Sequence, residues 1–253
     1  MTTQHQRGFT LIEILVALFV GLFLLGGLFT ILQTTRRTST NQTGLALLQD
    51  QQRMAMSILN DVIQNAGYFD ASTYQSASTA WPAAVADAVT GTSLAAGQAV
   101  SGFHNSVTVA DTLVARYATN GTTDGIINCI GGSATVATTY LNTFYIQAIA
   151  GGYGLFCSPD GTSANGALLV TGVQNLQAWY GISTQNGVNN VDTYKTANQM
   201  AAADWSSVTS VRVTLTFNNP LYVSTQATQQ PQYVYFTRVI ALQGRTGVVS
   251  TAL

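Results

Sequence analysis

Arg7-Gly8-Phe9-Thr10-Leu11-Ile12-Glu13 opens a run of apolar residues that continues, almost unbroken, to Leu32. From Phe9 to Leu32, 24 residues at 1.5 Å each form about 36 Å of helix, more than the roughly 30 Å of a bilayer's hydrocarbon core. A secretory signal has a shorter apolar stretch followed by a small-residue cleavage site. Here the run passes into a helical pattern without such a site, so the segment is expected to be retained. Glu13 is its one charge and the only glutamate in the chain. An acid near the middle of a membrane helix costs about 2.5 to 3.5 kcal/mol, so Glu13 calls for a partner. The nearest cations, Arg7 on one side and Arg36 and Arg37 on the other, lie outside the run.

The helical pattern outlasts the apolar run. Leu48, Ala55, Leu59, Val62 and Ala66 recur at three-, four- and seven-residue spacings, with Gln49, Gln52, Arg53 and Asn60 between them, which predicts an amphipathic helix. No proline interrupts it, and Gly67 follows as a stop. A single helix over Phe9 to Ala66 would approach about 87 Å. Gly21, Gly26 and Gly27 are its weakest points. Glycines cost helix stability but also let membrane helices approach closely, and both readings stay open.

Downstream, residues 71–106 are rich in Ala, Ser, Thr and Gly, Trp81-Pro82 excepted, and read as a long loop. The remainder reads as strands: Val107–Val109, Thr112–Tyr117, Thr143–Ala148 and Tyr153–Cys157 around a Gly151-Gly152 turn, Ala167–Val170, and Leu176–Ile182. In Val211 to Phe217, Val211, Val213, Leu215 and Phe217 alternate with Arg212, Thr214 and Thr216, a strand with one buried face. Tyr233 to Leu242 is apolar on both faces, the pattern of a central strand. One antiparallel sheet packed on the polar half of the helix is the economical arrangement.

Composition narrows the function. Charged residues make up only 8%, so the surface must be built from uncharged polar side chains, as in many secreted proteins. A net charge of −1 and a single lysine, Lys195, leave no basic footprint for nucleic acid. Cys129 and Cys157 belong to no CxxC pair and have no histidine at metal-ligand spacing, so one disulfide is the expected reading and two buried thiols the alternative. Beyond the N-terminal leader His104 is the only histidine, so no catalytic triad is expected, nor any cofactor or metal. Asn186, Asn189, Asn190 and Asp192 form a polar loop with a single carboxylate, which reads as a turn rather than a calcium site. The expectation is a building block and not an enzyme.

The order Arg7-Gly8-Phe9-Thr10-Leu11-Ile12-Glu13 resembles the class III signal of type IV prepilins and type II secretion pseudopilins. The resemblance implies that a prepilin peptidase cuts between Gly8 and Phe9 and methylates the new amine of Phe9, and that Glu13 pairs with the amine of a neighbouring subunit. It also implies an α+β, type IV pilin-like fold: a leader at 1–8, a membrane-spanning and filament-core helix at 9–32, its amphipathic continuation at 33–66, and an extracytoplasmic β domain at 67–253. Asp111-Thr112-Leu113, Asn128-Cys129-Ile130-Gly131, Leu155-Phe156-Cys157, Gly172-Val173-Gln174-Asn175-Leu176-Gln177 and Thr237-Arg238-Val239-Ile240-Ala241-Leu242-Gln243 resemble the PilW group of minor pilins. The implied partners are the peptidase, other minor and major pilins, the inner membrane and the pilus assembly machinery, with pilus assembly, adhesion or twitching as the role. A J-type type II secretion pseudopilin and a tip adhesin or DNA-uptake pilin are the alternatives. Counting cations around the apolar run would place the large domain in the cytoplasm. The prepilin-like head and the need to oxidise two cysteines argue for the opposite orientation, with the domain periplasmic.

Overall fold

The computed structural model describes residues 10–84, 88–104, 106–121, 124–185, 190–226 and 230–246. Helix α1 runs from Leu11–Gln64, so the apolar run and the amphipathic stretch are one continuous helix. It ends where the sequence places a glycine: Gly67 adopts φ 89°, and its N–H donates to the Arg116 carbonyl at 3.0 Å. By contacts the chain divides into two units, residues 1–47 and 48–253. In the first, Leu11 to Leu32 is exposed apart from the half-buried Gly21.

In the second unit, Leu48, Ala55, Met56, Leu59, Val62, Ile63 and Ala66 enter one core with two antiparallel sheets. The single sheet expected from sequence is therefore corrected to two. One sheet has the order β1-β2-β3-β4-β5, from Val100–Phe103, Thr112–Thr119, Thr138–Ile149, Gly152–Ser158 and Ala167–Thr171. The other has the order β7-β6-β8-β9, from Thr193–Lys195, Val173–Ile182, Val208–Asn218 and Tyr233–Ala241. Gly172 alone, at φ 79°, carries the chain from β5 in one sheet to β6 in the other. A left-handed corner of this kind is open to glycine at little cost, and the resulting change of sheet leaves no trace in strand periodicity.

The Gly151-Gly152 hairpin forms as read, joining β3 to β4 in continuous register from Thr143↔Ser158 to Ile149↔Gly152. Val107–Val109 does not form a strand; it lies in a turn closed by an isolated Ser106↔Val109 bridge. Nor is β9 central: among the described residues it pairs only with β8 and ends the sheet.

The stretch at 71–106 is more ordered than a loop. It holds a short helix α2 at Ala77–Ala80 and strand β1, and Ala80, Trp81, Ala99 and Ala118 form a second small core. The buried Arg116 of β2 holds it in place. Its Nε donates to the Gln98 carbonyl at 2.9 Å, Nη1 to Pro82 at 2.8 Å, and Nη2 to Ala95 at 2.8 Å and Gln98 at 2.7 Å. Burial lowers the guanidinium pKa to about 10, and the four carbonyl bonds replace the water it has lost.

Candidate functional site

Glu13 lies in the first turn of α1. Its carboxylate accepts the backbone N–H of Thr10 at 2.8 Å and the Thr10 hydroxyl at 2.9 Å, while the Glu13 N–H donates to Thr10 Oγ1 at 3.4 Å. This is the reciprocal arrangement of a helix-capping pair, a Thr followed three residues later by Glu. The capping pair adds to the sequence reading, in which the nearest cations lie outside the run, and does not overturn it. Thr10-x-x-Glu13 is the sequence signal for this cap. The hydrogen bonds satisfy oxygens without cancelling the charge. Gly8 and Phe9, the expected cleavage and methylation positions, lie outside the described residues.

From Leu11 on, the helix is long and apolar enough to cross a membrane. Thr30 is the hydroxyl in the second half of this run, and it donates to the Gly26 carbonyl at 3.0 Å. Thr34, Thr35, Thr38, Thr40 and Thr43 bond to the carbonyl four residues back in the same way. Threonines satisfied by their own helix need neither water nor a partner, so the segment tolerates either medium.

The domain half of α1 borders a groove of about 350 Å³, lined by Met54, Ile58, Ile127, Ile130, Leu168 and Cys129. Cys129 and Cys157 are disulfide-bonded, with Cα atoms 6.3 Å apart. The bond ties the turn at 127–133 to β4, and the Cys129 N–H donates to Asn142 Oδ1 at 2.8 Å. The covalent tie and the amide bond together hold that turn beside the helix.

His104 is used structurally. Its Nδ1 lies 2.7 Å from Asp111 Oδ1, with 9% of the histidine side chain and 2% of the aspartate exposed. The other Asp111 oxygen accepts the Ala178 N–H at 2.9 Å, and the Asp111 N–H donates to the Leu176 carbonyl at 2.8 Å. The pair thus pins the entry of β2 onto β6, one sheet to the other. Asp192 accepts the Thr184 N–H at 2.9 Å and its hydroxyl at 2.8 Å. These bonds hold its carboxyl below the ordinary range and explain the acid as a turn clasp. Asn186 and Asn189 lie outside the described residues. Among those described, no three His, Cys, Asp or Glu side chains gather as a metal site.

A family model described as the prokaryotic N-terminal methylation motif matches residues 3–29, and a model described as Type IV Pilus-assembly protein W matches residues 143–245. By these two matches the chain is similar to type IV pilin-like proteins, and over residues 143–245 to the PilW family. The second match runs from β3 through β9, so it covers Cys157 but not Cys129. The fold, a long N-terminal helix whose residues from Leu48 on pack on antiparallel sheets, is the one the resemblance implied. Among solved structures, a type IV-like pilin from Thermus thermophilus is similar over 78% of this chain and 98% of its own, at 12% identity and a TM-score of 0.39. No curated protein matches.

Proposed function

We propose that this chain is a minor pilin that helps to initiate or cap a type IV pilus, anchored in the inner membrane by Leu11 to Leu32 with its β domain on the periplasmic side. The observation that carries the reading is a capped acid at the head of an exposed apolar helix, within the span matched by the methylation motif. The Cys129–Cys157 disulfide supports an oxidising compartment for the domain. Its partners are a prepilin peptidase that cuts between Gly8 and Phe9, other pilins and the assembly machinery. The domain acts through surfaces, without catalysis or a cofactor.

Removal of the leader would leave Phe9 as the first residue, next to the Thr10 that clasps Glu13. A carboxylate held at the helix head is positioned to receive the amine of a neighbouring subunit. A cation beside it lowers the cost of a charge in hydrocarbon, which rewards assembly over the free subunit. Glu13→Gln removes the charge and keeps the size. Glu13→Leu also removes the capping acceptor and makes the segment a better membrane helix. Both variants are expected to yield methylated Phe9 by mass spectrometry and to co-purify poorly with other pilins. Wild-type co-purification of both would remove Glu13 from assembly, and an intact leader on the filament-associated protein would overturn the pilin reading itself.

A further inference from the structure

The two sheets end in four edges, and three are blunted. β1 has four residues, β7 has three, and β5 pairs with β4 through an irregular register. Short or irregular edges are how folded proteins avoid pairing with other chains. The fourth edge is different. β9 has nine residues, Tyr233-Val234-Tyr235-Phe236-Thr237-Arg238-Val239-Ile240-Ala241, without proline or lysine, and pairs with β8 in unbroken register. Tyr235 and Val239 are 64% and 53% exposed. A strand whose sequence suits the middle of a sheet stands at its rim.

The register shows which peptide groups are free. The Leu242 N–H donates to the Thr209 carbonyl at 2.9 Å, and the Asn219 N–H to the Gln232 carbonyl at 2.9 Å. Hydrogen-bonded pairs alternate along an antiparallel ladder. The even-numbered residues 232–242 therefore bond to β8, and the peptide groups of Tyr233, Tyr235, Thr237, Val239 and Ala241 point away from it. On the other alternation, Arg238 is exposed and makes no ion pair among the described residues.

We propose that the free edge of β9 is a strand-addition site for an extended, proline-free segment of a different periplasmic polypeptide, apolar along its length and bearing an acid opposite Arg238. Main-chain bonds to the five outward-facing residues would supply the affinity, and Tyr235, Val239 and Arg238 the selectivity. A second copy does not fit: β9 carries an arginine and no acid, so a paired β9 would set no carboxylate opposite Arg238. That the partner is periplasmic rests on the orientation proposed above.

The test uses the full chain in intact cells, with a photoreactive phenylalanine analogue placed in turn at 235, 237 and 239. Strand addition requires all three to form adducts with one heterologous segment, at positions two residues apart in order. Adducts to a second copy, distinguished by mixed isotope labelling, would overturn the proposal. So would adducts to residues 247–253 of the same chain, scattered adducts, or none while the chain still co-purifies with pilins. That last result would leave the minor-pilin reading standing. Thr237→Pro deletes an outward N–H and spares the bonds to β8, so it should abolish adducts at 235 and 239 without lowering the domain's melting temperature by more than a few degrees. Arg238→Glu leaves the backbone intact and should reduce adduct yield about fivefold; an unchanged yield would refute the acidic partner residue.

Discussion

Residues 11–32 and 48–64 belong to one helix and have almost opposite relations to their surroundings. The first stretch is apolar all round and leaves Leu15, Leu18, Leu22 and Phe29 more than half exposed; the second turns Leu48, Ala55, Leu59, Val62 and Ile63 into a core. Backbone geometry does not distinguish them. The difference is that side chains on one face can be satisfied by a sheet, whereas a helix apolar on every face needs an apolar solvent or other helices. The molecule teaches that one secondary-structure element can serve two media, provided its pattern changes along its length.

The comparison breaks most decisively at Leu59, which is fully buried. Leu59→Ala should cost the domain about 2 to 5 kcal/mol, read from thermal or denaturant unfolding in detergent. Leu18→Ala, in the exposed half, should leave that transition where it was. Equal shifts would mean that the two halves are not independently satisfied.

The disulfide sharpens the contrast, because it stabilises only the domain half. Replacing Cys129 and Cys157 together by serine opens a loop with a sequence separation of 28 and should cost roughly 3 to 4 kcal/mol. Melting of the domain should fall accordingly, while membrane retention through Leu11 to Leu32 stays unchanged. A loss of membrane retention would contradict the separation.

The smallest effect concerns acid. The Asn120 side chain, then the Ser72 N–H and hydroxyl, hold Asp70 at about 2, against an ordinary value of 3.8. A carboxyl whose folded pKa is depressed contributes its stability above the unfolded value and loses it as pH falls through the folded one. Amide exchange at Ser72 should therefore accelerate as pH drops from 4 toward 2, after correction for intrinsic rates, and Asp70→Asn should abolish that dependence. Exchange in α1 from Gly21 to Leu32, which holds no carboxylate, should show no corresponding step.

Much of this was legible in the residues. The continuous helix follows from apolar content and spacing, its end from Gly67, the β3–β4 hairpin from Gly151-Gly152, and the cysteine pairing from the lack of any other use for two thiols. The capping role of Thr10 is carried by its three-residue spacing from Glu13. Strand 100–103 was hidden because its Val-Ser-Gly-Phe carries no alternation, and the order of 71–106 depends on a guanidinium that reaches it from another strand.

By itself, then, the sequence determined what is local: a helix that changes from all-round to one-sided apolarity, the strands with strong alternation, and a head that matches an N-terminal methylation motif. Only the tertiary structure decided what depends on neighbours far along the chain: that Gly172 divides the strands between two sheets, that Arg116 finds its carbonyls on 82–98, that His104 and Asp111 pin β2 to β6, and that β9 ends a sheet. The physical reason is that periodicity records which face of a strand meets apolar surroundings, while its place at the centre or edge depends on which backbone hydrogen-bonds beside it, and backbone groups are the same in every residue but proline.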